Sequence, residues 1–301
     1  MPWKRSMSAP DTLTLADLRT RTFPHPQLGV LGDPIAHSLS PAMHNAALAA
    51  LRPTHPHLAT LSYLRLHITA AELPAALSRL RELGFAGLNL TVPHKIQALT
   101  LVSELSDDAR RAESVNTLVP TAKGWAGHTT DGQGFLAALR ERSGHGISGR
   151  PVRLLGAGGA ARAVAAACLA AGCSELRIVN RDAAKGEALA AALADPRARA
   201  GESPSLPADA VIVNCTTLGL KPTDASPLSV ELLRPGQFVF DTTYGTHPSQ
   251  LLQAAAARGV KGCDGRSMLR WQGALAFQLW TGIMPPAAPM RSALGEPPVT
   301  P

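Results

Sequence analysis

Val152-Arg153-Leu154-Leu155-Gly156-Ala157-Gly158-Gly159-Ala160-Ala161-Arg162 reads as a short buried strand, a glycine turn and the start of a small-residue helix running from residue 160 to about 171. That order builds a phosphate site. Gly156 permits a tight turn, and Gly158 and Gly159 let backbone N–H groups approach a pyrophosphate. The helix N-terminus then turns its partial positive charge towards the anion. Ala163, Ala165, Ala166 and Ala167 let the helix lie close to a sheet. An ordinary glycine-rich turn is the alternative, and the strands that follow argue against it.

Downstream, residues 175–180 predict a second strand of the same unit, with the ribose-reading position at its end, about 20 residues past the glycines. Asn180-Arg181-Asp182 stands there with Lys185 nearby. Arg181 can stack on an adenine and, with Lys185, attract a 2′-phosphate, which favours NADP over NAD. Asp182 works the other way. Residues 210–216 and 238–244 predict further strands, residues 248–258 a helix, residues 259–263 a last strand, and residues 267–282 the last helix.

Upstream, residues 28–32 predict a strand, followed by a turn and a helix to about residue 51. Ser40 before Pro41 predicts an N-cap with proline at the first helical position. The hydroxyls of Ser38 and Ser40 can also converge on a carboxylate. Residues 61–68 alternate as a strand and residues 70–83 predict a helix. Leu88, Leu90 and Val92 form one face of the next strand, with Asn89 and Thr91 on the other. Pro93 stops it and Lys95 opens the next element, where a lysine alone reads as a solvated charge. Residues 115–119 and 125–130 predict strands, and Asp131 stands where a helix cap would. Residues 1–26, with four prolines, and 285–301, with six, predict a flexible extension and a flexible tail.

The chain has 301 residues, enough for two domains, with a net charge of +7 scattered rather than gathered into a stripe. Nothing beyond charge points to nucleic acid. Cys168, Cys173, Cys215 and Cys263 form no Cys-x-x-Cys pair, so no metal site is expected and reduced thiols in a cytoplasmic protein are. No apolar run approaches the ~20 residues of a membrane span.

Gly32-Asp33-Pro34-Ile35-Ala36-His37-Ser38-Leu39-Ser40-Pro41-Ala42-Met43-His44-Asn45 and Gly87-Leu88-Asn89-Leu90-Thr91-Val92-Pro93-His94-Lys95 begin a longer pattern. It continues through Val115-Asn116-Thr117-Leu118, Thr130-Asp131-Gly132, the glycine loop, Asn180-Arg181, and residues 214–219. It ends at Met268-Leu269-Arg270-Trp271-Gln272-Gly273-Ala274 and Trp280-Thr281-Gly282. Together, from about residue 28 to 282, these stretches resemble the shikimate dehydrogenase family.

The resemblance implies an α/β protein: an N-terminal substrate-binding α/β domain (27–130, rejoined by 265–284) and a Rossmann-type doubly wound NADP-binding domain (131–264). It implies reduction of 3-dehydroshikimate to shikimate with NADPH, with Lys95 and Asp131 as the catalytic pair. Ser38 and Ser40 would hold the substrate carboxylate. Asn89, Thr91, Asn116 and Gln272 would bind ring hydroxyls, and Tyr244 would line the pocket. Gly156, Ala157, Gly158, Gly159 and Ala160 would hold the pyrophosphate, with Thr216 on the cofactor side of the cleft. Asn180, Arg181 and Lys185 would lie at the adenosine ribose, and Gly265 and Met268 would flank the nicotinamide.

The chemistry is coherent: hydride delivery to a ketone develops negative charge on oxygen, and a lysine can donate the proton it needs. The chain departs from the family pattern at Thr129, Asp182, Pro248 and Arg266-Ser267. Rival readings are a quinate or dual quinate/shikimate dehydrogenase, using NADP or NAD, and a non-catalytic ligand sensor on the same scaffold. Two plain serines at 38 and 40 lean towards shikimate. A small-molecule partner and a monomer or homodimer are expected.

Overall fold

A computed structural model describes residues 12–203 and 205–298. Seven strands form the first sheet: β1 (Thr12–Thr14), β2 (Leu28–Gly32), β3 (Tyr63–His67), β4 (Gly87–Leu90), β5 (Glu104–Leu105), β6 (Thr117–Thr121) and β7 (Gly124–His128). Their spatial order is β1-β3-β2-β4-β6-β7-β5. The β1-β3-β2-β4 part is parallel, and β6 runs antiparallel to both β4 and β7.

Six strands form the second sheet: β8 (Pro151–Leu155), β9 (Glu175–Val179), β10 (Ala198–Ala200), β11 (Val211–Asn214), β12 (Phe238–Asp241) and β13 (Lys261–Cys263). All are parallel, in the order β10-β9-β8-β11-β12-β13. That is the doubly wound order, with its switch point between β8 and β11. The continuous apolar runs of β11 and β12 follow from burial on both faces. Val211, Val213, Phe238 and Phe240 pack into the core on one face, and Ile212 and Val239 into the core on the other.

The Asp131–Ser143 helix leads from the first sheet to the second, and the Arg266–Thr281 helix returns beside it. Their close approach needs Gly134, where a Cβ would stand 2.7 Å from the backbone nitrogen of Gln272.

Four expectations are corrected. The extension predicted over 1–26 contains β1 and a Leu15–Thr20 helix; residues 1–11 of that prediction lie outside the described residues. Thr14 and Asp17 form a reciprocal capping box there, and Leu13, Leu15 and Leu18 enter the core. The predicted tail holds an Ala287–Leu294 helix whose Met290 and Leu294 pack against the Ser40–Leu51 helix; residues 299–301 lie outside the described residues. Pro289 falls within its first turn, where no intrahelical N–H is required. Ser40 is not an N-cap. Leu39 holds that position, and Ser38 Oγ instead accepts from the Ser40 N–H at 3.3 Å. Asp131 does not cap its helix either: it is the first helical residue, and its carboxylate is engaged elsewhere.

Candidate active site

The polar residues predicted on β4 and after it meet the start of the Asp131–Ser143 helix in one buried network. Lys95, in the short His94–Gln97 helix after Pro93, places Nζ 2.5 Å from Asp131 Oδ2, with side chains 14% and 5% exposed. The other oxygen, Oδ1, accepts from Asn116 Nδ2 at 2.8 Å. At the first position of its helix, the carboxylate also lies in the favourable field of the helix N-terminus.

Asn116 is the hub of this network. Its Nδ2 also reaches Thr130 Oγ1 at 3.0 Å and Gln272 Oε1 at 3.2 Å. Its Oδ1 accepts from the Thr130 N–H and from Thr117 Oγ1, both at 2.8 Å. Asn89 Nδ2 donates to the Asn116 carbonyl and to Thr117 Oγ1, both at 3.1 Å. Tyr63 donates from its hydroxyl to Asn89 Oδ1 at 2.7 Å. Burial, with Tyr244 nearby, pushes the Tyr63 phenol well above its ordinary range, so it stays a donor and fixes which way the Asn89 amide points.

Ser38 and Ser40 stand outside that network, at the start of the Ser40–Leu51 helix, where Arg65 donates to the Ser38 carbonyl at 2.9 Å. Tyr244, carried on the loop after β12, reaches the same end of the helix: burial raises its phenol, and a bond with the Leu39 backbone opposes the rise. Thr91 packs its methyl on Gly32, where a Cβ would stand 2.4 Å from it.

The glycine loop lies on the other side. Gly156 has φ +110, and a Cβ on it would stand 3.0 Å from the Cys215 carbonyl oxygen, so glycine is required there. Gly158 is exposed with nothing within 4 Å of its missing Cβ, leaving an open cradle at the N-terminus of the Gly159–Ala170 helix with Ala157 and Ala160 beside it. That geometry suits a pyrophosphate. Across the switch point, Thr216 bonds to Asn214 Oδ1, and Asn214 to the buried Asp241. Burial raises the Asp241 carboxyl against bonds from Ser249, Thr243 and Asn214.

At the far end of β9, Arg181, Asp182 and Lys185 are exposed; Lys185 Nζ lies 3.6 Å from Asp182 Oδ2, and Asn180 donates to the Asp182 carbonyl at 2.8 Å. Gly265 packs on the Thr242 backbone, and Met268 is buried in the core of the second sheet, at 6% exposure. Met268 therefore lies largely within that core.

Sequence reasoning did not single out Tyr63 or Thr117, although the alternation around residues 61–68 and the Val115-Asn116-Thr117 motif carried both. Among the described residues, no group of three His, Cys, Asp or Glu stands ready to hold a metal ion. No helix is long and apolar enough to cross a membrane among those residues.

Over most of its length the chain is similar to known proteins. The profile of the shikimate dehydrogenase substrate binding domain matches residues 30–118, and that of the shikimate 5′-dehydrogenase C-terminal domain matches residues 265–294. The chain is 40% identical over 279 residues to the shikimate dehydrogenase (NADP(+)) of Moorella thermoacetica, covering 89% of this chain and 92% of that one. It is 42% identical over 275 residues to the enzyme of the same name from Rubrobacter xylanophilus, covering 89% and 94%. The crystal structure of shikimate 5-dehydrogenase from Thermus thermophilus in complex with NADP(H) and shikimate superposes with a TM-score of 0.78 at 38% identity, covering 90% of this chain and 99% of that one.

Proposed function

The chain belongs to the shikimate dehydrogenase family, and on that premise we infer that it catalyses the NADP-dependent, reversible reduction of 3-dehydroshikimate to shikimate. This is a step of the pathway to chorismate and the aromatic amino acids. One observation carries the reading: a nearly buried lysine–carboxylate pair, Lys95 and Asp131, lies beside an open glycine cradle at the switch point of a doubly wound sheet.

Bound NADPH supplies the hydride. Lys95 donates the proton to the oxygen on which negative charge develops, and takes it back in the reverse direction. Asp131 accepts from the Lys95 ammonium and keeps it aimed, and Asn116 holds Asp131 from its other oxygen. Ser38 and Ser40 bind the substrate carboxylate. Asn89, Thr91, Asn116 and Gln272 bind ring hydroxyls, with Tyr244 lining the pocket. Gly156 to Ala160, with Thr216, would hold the cofactor across the cleft, Gly265 and Met268 would flank its nicotinamide, and Asn180, Arg181 and Lys185 would meet the adenosine ribose. Residues 27–130 and 265–284 serve as the substrate domain and 131–264 as the nucleotide domain. The protein works in the cytoplasm, as a monomer or homodimer, without nucleic acid.

A four-way assay tests this: shikimate or quinate, each with NADP or NAD, following formation of reduced nicotinamide. Turnover mainly with shikimate and NADP is expected. Turnover confined to quinate overturns the substrate assignment, and silence from folded, cofactor-binding protein favours a ligand sensor. A second reading, that NAD is also accepted, rests on the Asp182 carboxylate pairing with Lys185 where a 2′-phosphate would compete for the same cation.

A further inference from the structure

Two neighbouring residues outside the pocket tie the two sheets together beside Lys95. Ser114 is fully buried, and its hydroxyl donates to the Gly159 carbonyl at 2.9 Å. Glu113 forms an ion pair with the Arg162 guanidinium. Gly159 and Arg162 are three residues apart, on one face of the first turn of the helix that opens at the glycine cradle. On the opposite side of the contact is the lysine itself. The Val115 N–H donates to the Lys95 carbonyl at 2.8 Å, and a Cβ on Gly159 would stand 2.7 Å from Lys95 Cβ.

Glu113 makes its contact from an unusual backbone. It closes the Asp107–Ala112 helix in the left-handed region, at φ 45 and ψ 47. Glycine adopts that conformation freely, whereas a side chain is disfavoured there. The turn itself uses only the Glu113 N–H, which bonds to the Ala109 and Arg110 carbonyls. A glycine would close the helix as well, and only the carboxylate would be missing. Arg162 depends on that carboxylate: its side chain is 17% exposed, its Nε has no hydrogen-bond partner, and Glu113 is its ion-pair partner among the described residues.

We propose that Glu113 and Ser114 form a staple that holds the cofactor helix in register with Lys95. They are positioning residues for hydride transfer and touch neither substrate nor reacting atoms. The proposal rests on the assignment of Lys95 and the glycine cradle to catalysis and cofactor binding.

The test uses the full chain as wild type, Glu113→Gly, Arg162→Met and the double variant. Steady-state kinetics, NADPH affinity by calorimetry and Tm are measured for each. Each single variant is expected to lose roughly tenfold in kcat/KM for NADP, the scale on which a small misplacement acts. The double variant should lose no more than either single variant, because both remove one contact. KM for shikimate should hold. The Tm of Glu113→Gly should stay close to that of the wild type, since relief of the left-handed backbone offsets the loss of the carboxylate beside Arg162. A merely structural ion pair would lower Tm and activity together, and that outcome overturns the proposal. So do wild-type kinetics in Glu113→Gly, or independent losses that add in the double variant. If the wild type binds NADPH yet turns over no substrate, the functional reading fails and the staple is judged on affinity alone: a several-fold weaker Kd in Glu113→Gly supports it and an unchanged Kd overturns it. A wild type that binds no NADPH overturns both.

Discussion

The stem of Lys95 rests on the bare Cα of Gly159, so close that a methyl group there would stand 2.7 Å from Lys95 Cβ. One glycine therefore serves two ends: its place in the cradle leaves room for a phosphate, and its lack of a side chain leaves room for the proton donor. Gly159→Ala is expected to displace the lysine and lower kcat by roughly 10–100-fold, on the scale of a misplacement of about 1 Å. Steady-state kinetics check it, and an unchanged kcat would show that the contact has slack.

Lys95→Met removes the donor while keeping the length of the stem. We expect kcat to fall by about 10²–10⁴-fold, the usual worth of a positioned acid–base group. NADPH affinity measured by calorimetry should stay near the wild-type value. Equal losses in kcat and in NADPH affinity would assign Lys95 to cofactor binding instead.

His44 lies between Tyr63, Phe277 and Trp280, stacked on Tyr63 at 4.2 Å, and neither ring nitrogen has a hydrogen-bond partner. Burial lowers its pKa from 6.5 to about 3. The unfolded chain thus takes up this proton more readily than the folded one, so the stability it represents is complete above pH 6.5 and drains away as pH falls towards about 3. His44→Phe keeps a ring in place and abolishes this loss. The Tm of the wild type should drop more steeply than that of the variant as pH falls through this window, as calorimetry would show.

Arg270 is 2% exposed and joins Glu296, 1% exposed, at 2.7 Å and Glu141 at 2.5 Å. Taking away one member leaves charge stranded in the interior. Glu296→Ala is expected to cost about 3–5 kcal/mol in denaturant unfolding, the range for a broken buried pair. A change within about 0.5 kcal/mol, as at ordinary surface sites, would show that Glu141 alone satisfies the guanidinium.

Asp182→Thr frees Lys185 from its partner at 3.6 Å. The ratio of kcat/KM for NADP over NAD should rise, by roughly fivefold if one charge-assisted contact to the 2′-phosphate is gained. A constant ratio would leave the discrimination to Arg181.

Much of this was legible beforehand. The glycine turn, the apolar runs of β11 and β12 and the alternation around β3 each carry enough residues to declare a period, and the paired motifs around Lys95 and Asp131 pointed to residues that meet in one buried network. What escaped was short or distant. β1, β5 and β10 have two or three residues each, too few for a pattern. Prolines masked the spacing of Met290 and Leu294 on the last helix. Asp131 read as a cap because a carboxylate at a helix start usually is one, and its true partners, Lys95 and Asn116, are 36 and 15 residues away in sequence. Glu113 and Arg162, 49 residues apart, left no trace in either neighbourhood.

The packing of Phe277, Met290 and Leu294 onto Met43, Leu48 and Leu51 has a consequence for synthesis. The Ser40–Leu51 helix leaves the ribosome long before Phe277, Met290 and Leu294, the groups that cover it. At 5–20 residues per second the nascent chain carries that uncovered apolar side for roughly 12–50 s. The core built from residues 13–125 can close early, whereas the apolar side of the Ser40–Leu51 helix waits for the Arg266–Thr281 and Ala287–Leu294 helices, and a chaperone that binds exposed apolar helices has its longest opportunity there.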